Sequence, residues 1–350
     1  MAEDIAVREA EAVRTGAGSA KPRVVVLQAW GRFGEHGEAE ILERAGCEVV
    51  VSAAKGEDDL IAAARDADAL IYTGAISRRF MESLTRCKVI ARSAIGMDNV
   101  EGVEIATERG IVLCNVPDVF VDEVANHTVA LLLACVRHIV PFDRYVRDGS
   151  WGNGASRASQ SVPRITGQTL GLVGFGNIAR AVAKRMAGFD VQTIAYDPFL
   201  PREVFAAAGA RQASLAQILQ DSDFVSVHVP LTPETHHLIG ARELRLMRRE
   251  AILINTARGP VVDEAALIAA LQSGAIAGAG LDVTEIEPLP ADSPLCTMEN
   301  VVLTPHMASM SDWAGGERRR RPAQEVVAVL SGLRPRAVWN PQVLERVTLR

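Results

Sequence analysis

The sequence predicts an α/β fold of two parallel-sheet domains. A chain of 350 residues, 48% apolar and 23% charged, exceeds what one hydrophobic core usually serves, so two globular lobes are expected. Short β-branched runs alternate with helical patterns in two separate series, which is the grammar of parallel strands joined by helical crossovers. Between the series lies a long helical segment that is apolar nearly all round, as expected at a domain junction. Together these give two Rossmann-like, doubly wound domains.

Taken in order, residues 1–22 mix charges with Ala and Gly, lack the apolar run of a secretory signal, and read as a loose N-terminal extension. From residue 23, "RVVVLQAW", "CEVVVS", "ALIYTG" and "KVIARSAIG" read as strands, with "EAEILERAG" and "DDLIAAARDA" as helices between them. "VDEVANHTVALLLACVRHIVPFDRYVRDG" then reads as one long helix that Asp122 can cap. Its most apolar stretch, "HTVALLLACVRHIV", is too short and too interrupted by charge to span a bilayer. The Gly- and Ser-rich "GSWGNGASRASQSVPRITG" reads as an exposed connection. The second series runs through "TLGLVGFG", "VQTIAYDP", "FVSVHVP", "AILINTARG", "AGLDV" and "NVVLTPH". Beyond His306, the helical "RPAQEVVAVLSG" and the final "RAVWNPQVLERV" return to the first lobe.

Composition narrows the function classes. A net charge of −6 gives no general attraction to nucleic acid or anionic lipid, and the run Arg318 to Arg321 reads as a solvated helix face or an anion-binding rim. Cys47, Cys87, Cys114, Cys135 and Cys296 are far apart with no C-x-x-C, which suits reduced thiols and a cytoplasmic address better than disulfides or a metal site.

"TLGLVGFGNIARAVAKRM" supplies strand, glycine turn and helix in that order, with Gly174, Gly176 and Ala179 filling G-x-G-x-x-A. The first glycine makes the turn, the second admits a pyrophosphate to the backbone, and the small third residue lets helix and strand approach. Asp197 closes the next strand at the spacing where a carboxylate accepts the adenosine ribose hydroxyls and repels a 2′-phosphate, so NAD is the expected cofactor, in preference to NADP.

Arg258, Asp282, Glu287 and His306 lie at or just beyond the ends of successive strands, the edge along which open parallel sheets bind ligands. A permanent cation at the exit of the apolar run "AILINTA" has three uses: a protein carboxylate, an anionic ligand, or water.

"ARSAIGMDNVEG", "HVPLTPET", "NTARGPVVDEAALIAAL", "AGLDVTEIEPLP" and "NVVLTPH", in this order and spacing, resemble the NAD-dependent D-2-hydroxyacid dehydrogenase family from about residue 23 to the end. The resemblance implies that Arg258 holds the substrate carboxylate, for which a guanidinium fork is suited. It implies that His306 is the general acid/base and that Glu287, directly before Pro288, pairs with it; the other six histidines show no such setting. Asp282 matches the acceptor of the nicotinamide carboxamide, Thr256 and Ala257 the nicotinamide edge, and Val229 the adenine wall, while Asn177, Ile178 and Ser309 fall at cofactor-facing positions. Ile95 and Gly96 match substrate-facing backbone. The sequence departs from the family at Ala94, where relatives often carry glycine, and at Asn177, where many carry arginine beside the pyrophosphate.

The implied activity is hydride transfer between NADH and C2 of a small 2-oxoacid. The implied domains are a flavodoxin-like substrate-binding domain (23–121 and 306–350) and an inserted NAD-binding domain (122–305), with the active site in the cleft between them, in a homodimer without nucleic-acid or membrane partners. "YDPFL" and "NTARGP" also resemble the C-terminal-binding protein branch, which leaves an NAD(H)-sensing corepressor as an alternative; Ser309, where that branch has an aromatic residue, counts against it. Phosphite dehydrogenases keep the same Arg, Glu and His and stand as a second alternative. Formate dehydrogenases place glutamine where Glu287 stands.

Overall fold

The computed structural model describes residues 20–27, 37–151 and 162–350. Most of the N-terminal extension, the end of "RVVVLQAW" and the centre of the Gly/Ser-rich connection lie outside the described residues. The chain forms two compact units, Met1–Phe120 with Ser311–Arg350, and Val121–Met310.

In the first unit, strands β1 (Arg23–Leu27), β2 (Glu48–Ser52), β3 (Ala69–Tyr72), β4 (Val89–Ala91) and β5 (Val112–Cys114) form a parallel sheet of order β2-β1-β3-β4-β5, the flavodoxin-like winding. Successive side chains alternate faces. Val24, Val26, Ala69 and Ile71 meet Ala323, Val326 and Val329 of the C-terminal helix, whereas Val25, Leu27, Leu70 and Tyr72 meet Phe80, Met81 and Ile105. Both faces being covered explains why these strands read as continuous apolar runs.

The second unit has seven parallel strands: β6 (Thr169–Val173), β7 (Gln192–Tyr196), β8 (Arg211–Gln212), β9 (Phe224–Val227), β10 (Ile252–Asn255), β11 (Gly278–Leu281) and β12 (Val301–Leu303). Their order, β12-β11-β10-β9-β6-β7-β8, reverses direction between β6 and β9, so this is the Rossmann doubly wound sheet with its switch point beside the glycine turn.

Several elements differ from the sequence reading. The long helix is two, Val121–Val136 and Ile139–Arg147, bent by 61° where His138 adopts φ 50°. Asp122 is not its cap: it lies inside the first turn, where its carboxylate accepts from Arg185 at 2.6 Å. The C-terminal helix spans Asp312–Leu330 and begins well before Pro322, which is buried in its interior. Proline there signalled a helix start, because it lacks an N–H and disfavours the preceding turn. Arg318 to Arg321 are all partly buried on this helix rather than a solvated face; Arg320 pairs with Glu317 and Arg321 with Asp118. Short β5 and β8 were not read as strands. The second unit runs to Met310, and within it the amides of residues 306–308 are tied to Asp282.

Among the described residues no single helix is long and apolar enough to cross a membrane, and no cluster of His, Cys, Asp and Glu is arranged to hold a metal ion.

Candidate active site

Gly174, Asp197, Arg258, Asp282 and His306 lie at or just beyond the carboxyl ends of strands of the second unit, and Glu287 lies in the loop after β11. Gly174 follows β6 with φ +88°, and a β-carbon there would lie 2.9 Å from the His228 carbonyl and from Val229 Cγ1, so both conformation and space require glycine. Gly176 caps the helix Asn177–Met186, and a β-carbon on it would meet nothing within 4 Å, so the backbone is open to an approaching group. Ala179 is fully buried and Ile178 packs on the same core, which seats the helix against the sheet. Asn177 opens the helix, its Oδ1 accepting from Arg180 at 2.6 Å.

Asp197, one residue past β7, accepts from the Phe175 amide with Oδ2 and from the Phe199 amide with Oδ1, each at 3.0 Å. The carboxylate is thereby fixed to the glycine turn, with lone pairs left for ribose hydroxyls. Open backbone at a helix N-terminus beside an anchored acid fits the pyrophosphate and adenosine of NAD.

Arg258 is aimed by a residue the sequence reading passed over. Asn255, the buried last residue of β10, donates from Nδ2 to the Arg258 carbonyl at 2.9 Å and accepts from the Ala257 amide at 3.0 Å. These bonds shape the turn from which the half-buried Arg258 leaves in extended conformation (φ −147°, ψ 139°), with Nη1 donating to the Ala257 carbonyl at 2.7 Å. Thr256 turns inward: Thr128 Oγ1 donates to the Val124 carbonyl, so the Thr256 hydroxyl is the donor in their 2.8 Å contact, and its backbone is what remains for a ligand.

His306 Nδ1 lies 2.7 Å from Glu287 Oε2, and Glu287 Oε1 accepts from the Thr284 amide at 3.3 Å. His306 itself has φ 55°, a left-handed conformation costing a non-glycine residue roughly 1–2 kcal/mol. Its amide is held by the Asp282 carbonyl at 2.8 Å. The Asp282 side chain, in a residue only 2% exposed, organises the same turn: Oδ1 accepts from Thr304 Oγ1 (2.6 Å) and the Met307 amide (2.9 Å), and Oδ2 from the Ala308 amide (2.9 Å). Burial pushes the Asp282 carboxyl up, but the nearby His127 ring and hydrogen bonds from Thr304 and the two amides outweigh it and hold the group below the usual carboxylate range. Ser309, next in the chain, is half-buried.

In the first unit, Ile95 and Gly96 occupy the loop after β4, with the Ile95 carbonyl accepting from Asn115 Nδ2 at 2.8 Å. Directly after β4, Arg92, 1% exposed, donates to the carbonyls of Thr73 and Gly74 (2.8 Å each) and to Asn99 Oδ1 (2.6 Å). Arg92, Asn255, Thr304 and His127 escaped the sequence reading. The available signal was a polar or charged residue ending or interrupting an apolar run, which does not say what it touches.

The structure therefore brings Glu287 and His306 together and puts Arg258 on the adjoining strand exit. The profile of the family described as "D-isomer specific 2-hydroxyacid dehydrogenase, NAD binding domain" matches residues 129–308. A glyoxylate reductase of Korarchaeum cryptofilum is 42% identical over 288 residues, covering 82% of this chain and 86% of its own.

The chain belongs to the D-2-hydroxyacid dehydrogenase family.

Among solved structures, the holo form of Rhodotorula graminis D-mandelate dehydrogenase superposes with a TM-score of 0.83 at 27% identity, covering 91% of this chain and 98% of that one. An NADPH-dependent glyoxylate/hydroxypyruvate reductase of Sinorhizobium meliloti, in complex with NADP and malonate, gives 0.78 at 31% identity, covering 91% and 97%. As a member of this family the chain is an NAD-binding oxidoreductase that works between 2-oxoacids and 2-hydroxyacids, and the corepressor reading falls.

Proposed function

We propose that this dehydrogenase reduces glyoxylate and similarly small 2-oxoacids with NADH. The observation that carries the reading is the 2.7 Å His306–Glu287 pair, from the segments after β12 and β11, with Arg258 on the exit of β10 in the same sheet. Arg258 binds the substrate carboxylate bidentately and fixes the plane of the neighbouring carbonyl. His306, with Nδ1 engaged by Glu287, presents Nε2 to the carbonyl oxygen and gives it a proton as C2 accepts hydride. Glu287 holds the ring and compensates the imidazolium charge. NADH, when bound, supplies the hydride; Gly174, Gly176 and the helix after them receive its phosphates, and Asp197 its adenosine ribose. In the reverse direction His306 is neutral and takes the hydroxyl proton. The first unit, which carries Ile95 and Gly96, is the substrate-binding domain.

A homodimer through the NAD-binding unit is supported by the helix Ile139–Arg147, which buries no residue and exposes Ile139, Phe142 and Val146 along one side. A cytoplasmic setting is supported by five free cysteines, four of them buried, with burial pushing the Cys47 thiol up to about 11 and Cys87 to about 12.

The test is a panel of 2-oxoacids with NADH, followed by loss of nicotinamide absorbance, alongside phosphite with NAD. Glyoxylate turnover is expected; activity on phosphite alone would overturn the assignment. Light scattering gives the oligomeric state.

A further inference from the structure

His127 is an unusual residue for the apolar helix Val121–Val136, and the structure gives it a definite task. Its Nε2 lies 2.8 Å from Thr304 Oγ1 and 3.4 Å from Asp282 Oδ1. Thr304 has one hydroxyl proton, and its 2.6 Å contact with the acceptor-only Asp282 carboxylate uses it. Thr304 must therefore accept from His127, which fixes the hydrogen on Nε2. The result is a directed chain from His127 through Thr304 to Asp282.

Asp282 in turn gathers the amides of Met307 and Ala308 with its side chain and that of His306 with its backbone carbonyl. These bonds bracket His306 at φ 55°. A left-handed histidine relaxes unless neighbouring bonds over-determine it, and a small change in that backbone swings the imidazole away from Glu287 and the substrate.

We propose that His127 is a positioning residue for reduction, acting on His306 through Thr304 and Asp282. The chain anchors the His306 turn to the interior of the helix Val121–Val136, and Asp282 is chiefly the organiser of that turn, with any ligand contact left to a remaining lone pair on Oδ2. This assignment rests on His306 being the proton donor.

The experiment compares His127→Leu and Thr304→Val, which break the chain, with His127→Gln and Thr304→Ser, which keep a donor at the Nε2 position and a hydroxyl. The readouts are steady-state reduction of glyoxylate, NADH affinity by fluorescence titration, and amide hydrogen exchange at Met307 and Ala308 in the protein without ligands. The breaking variants are expected to lose roughly tenfold to a hundredfold in kcat, with the glyoxylate KM and the NADH Kd changed by less than about threefold. The two amides should exchange at least about tenfold faster, and the conservative variants should restore both properties. Unchanged exchange and kcat in His127→Leu would overturn the proposal, as would a loss of NADH affinity that accounts for the lost activity. If Leu failed to fold at position 127, Thr304→Val decides by the same criteria. An inactive wild-type protein whose amides still respond as expected would sink the reading of His306 while leaving the anchoring chain in place.

Discussion

Gly259 lies against Thr284 so closely that a β-carbon added to the glycine would fall 1.9 Å from the Thr284 carbonyl oxygen. This contact joins the turn carrying Arg258 to the loop carrying Glu287, and so sets the two side chains in register. Glu264 and Glu285 tie the same loop further, the Glu285 amide donating to Glu264 Oε2 at 3.0 Å.

Gly259→Ala must therefore displace backbone, not a side-chain tip. It is expected to lower kcat/KM for glyoxylate by about a hundredfold or more while circular dichroism still reports the native fold. Near-normal kinetics would show that the two loops are not coupled through this contact.

Arg258→Lys keeps the charge but loses the planar fork. We expect KM for the 2-oxoacid to rise and kcat to fall together, since an ammonium does not orient carboxylate and carbonyl in one plane. A change in KM alone would reduce Arg258 to a binding cation.

Glu287→Gln preserves shape and removes the anion facing His306 Nδ1. Without that charged partner the ring is held less firmly, so kcat for glyoxylate reduction should fall by about tenfold or more while KM changes little. Steady-state kinetics at saturating NADH provide the measurement, and an unchanged kcat would remove Glu287 from the mechanism.

Asp197→Ser should relax a preference for NADH over NADPH. Because Asp197 also accepts from the Phe175 and Phe199 amides, NADH affinity should weaken in the same variant. Equal kcat/KM for the two cofactors in the unaltered protein would refute the role of the carboxylate in that choice.

Asp282 links the site to acid stability. Its folded-state affinity for a proton is below that of an unfolded aspartate, so its contribution to stability is complete above the ordinary value of about 3.9 and is lost as pH falls through the lower folded value. Asp282→Asn should lower the Tm at neutral pH, with the gap narrowing below about pH 4. A gap independent of pH would assign the loss to packing.

The sequence made the strand exits legible because apolar runs end abruptly there: "AILIN" before Arg258, "AGL" before Asp282 and "VVL" before His306 each terminate at a sheet edge. Gly174 was legible for a related reason, since few other uses place glycine between a strand and a helix in that pattern. What stayed hidden depends on partners far away in sequence. His127 and Thr304 meet across 177 positions, and nothing local distinguishes His127 from a surface histidine. Strands as short as β8, with two residues, offer no periodicity to read. The break at His138 was masked because apolar residues continue across it in "ACVRHIV".

The first unit's sheet is finished by residues that come last. Ala323, Val326, Val329 and Val343 cover the face presented by Val24, Val26, Ala69 and Val89, with all of residues 121–310 intervening in the chain. A ribosome adding roughly 5–20 residues per second therefore releases the first five strands long before their cover exists. For that interval a row of valines stays uncovered, while the nucleotide-binding half already has every segment it needs. Maturation is thus asymmetric: the half that takes cofactor is ready first, and the other waits for the final stretch of the chain to close over it.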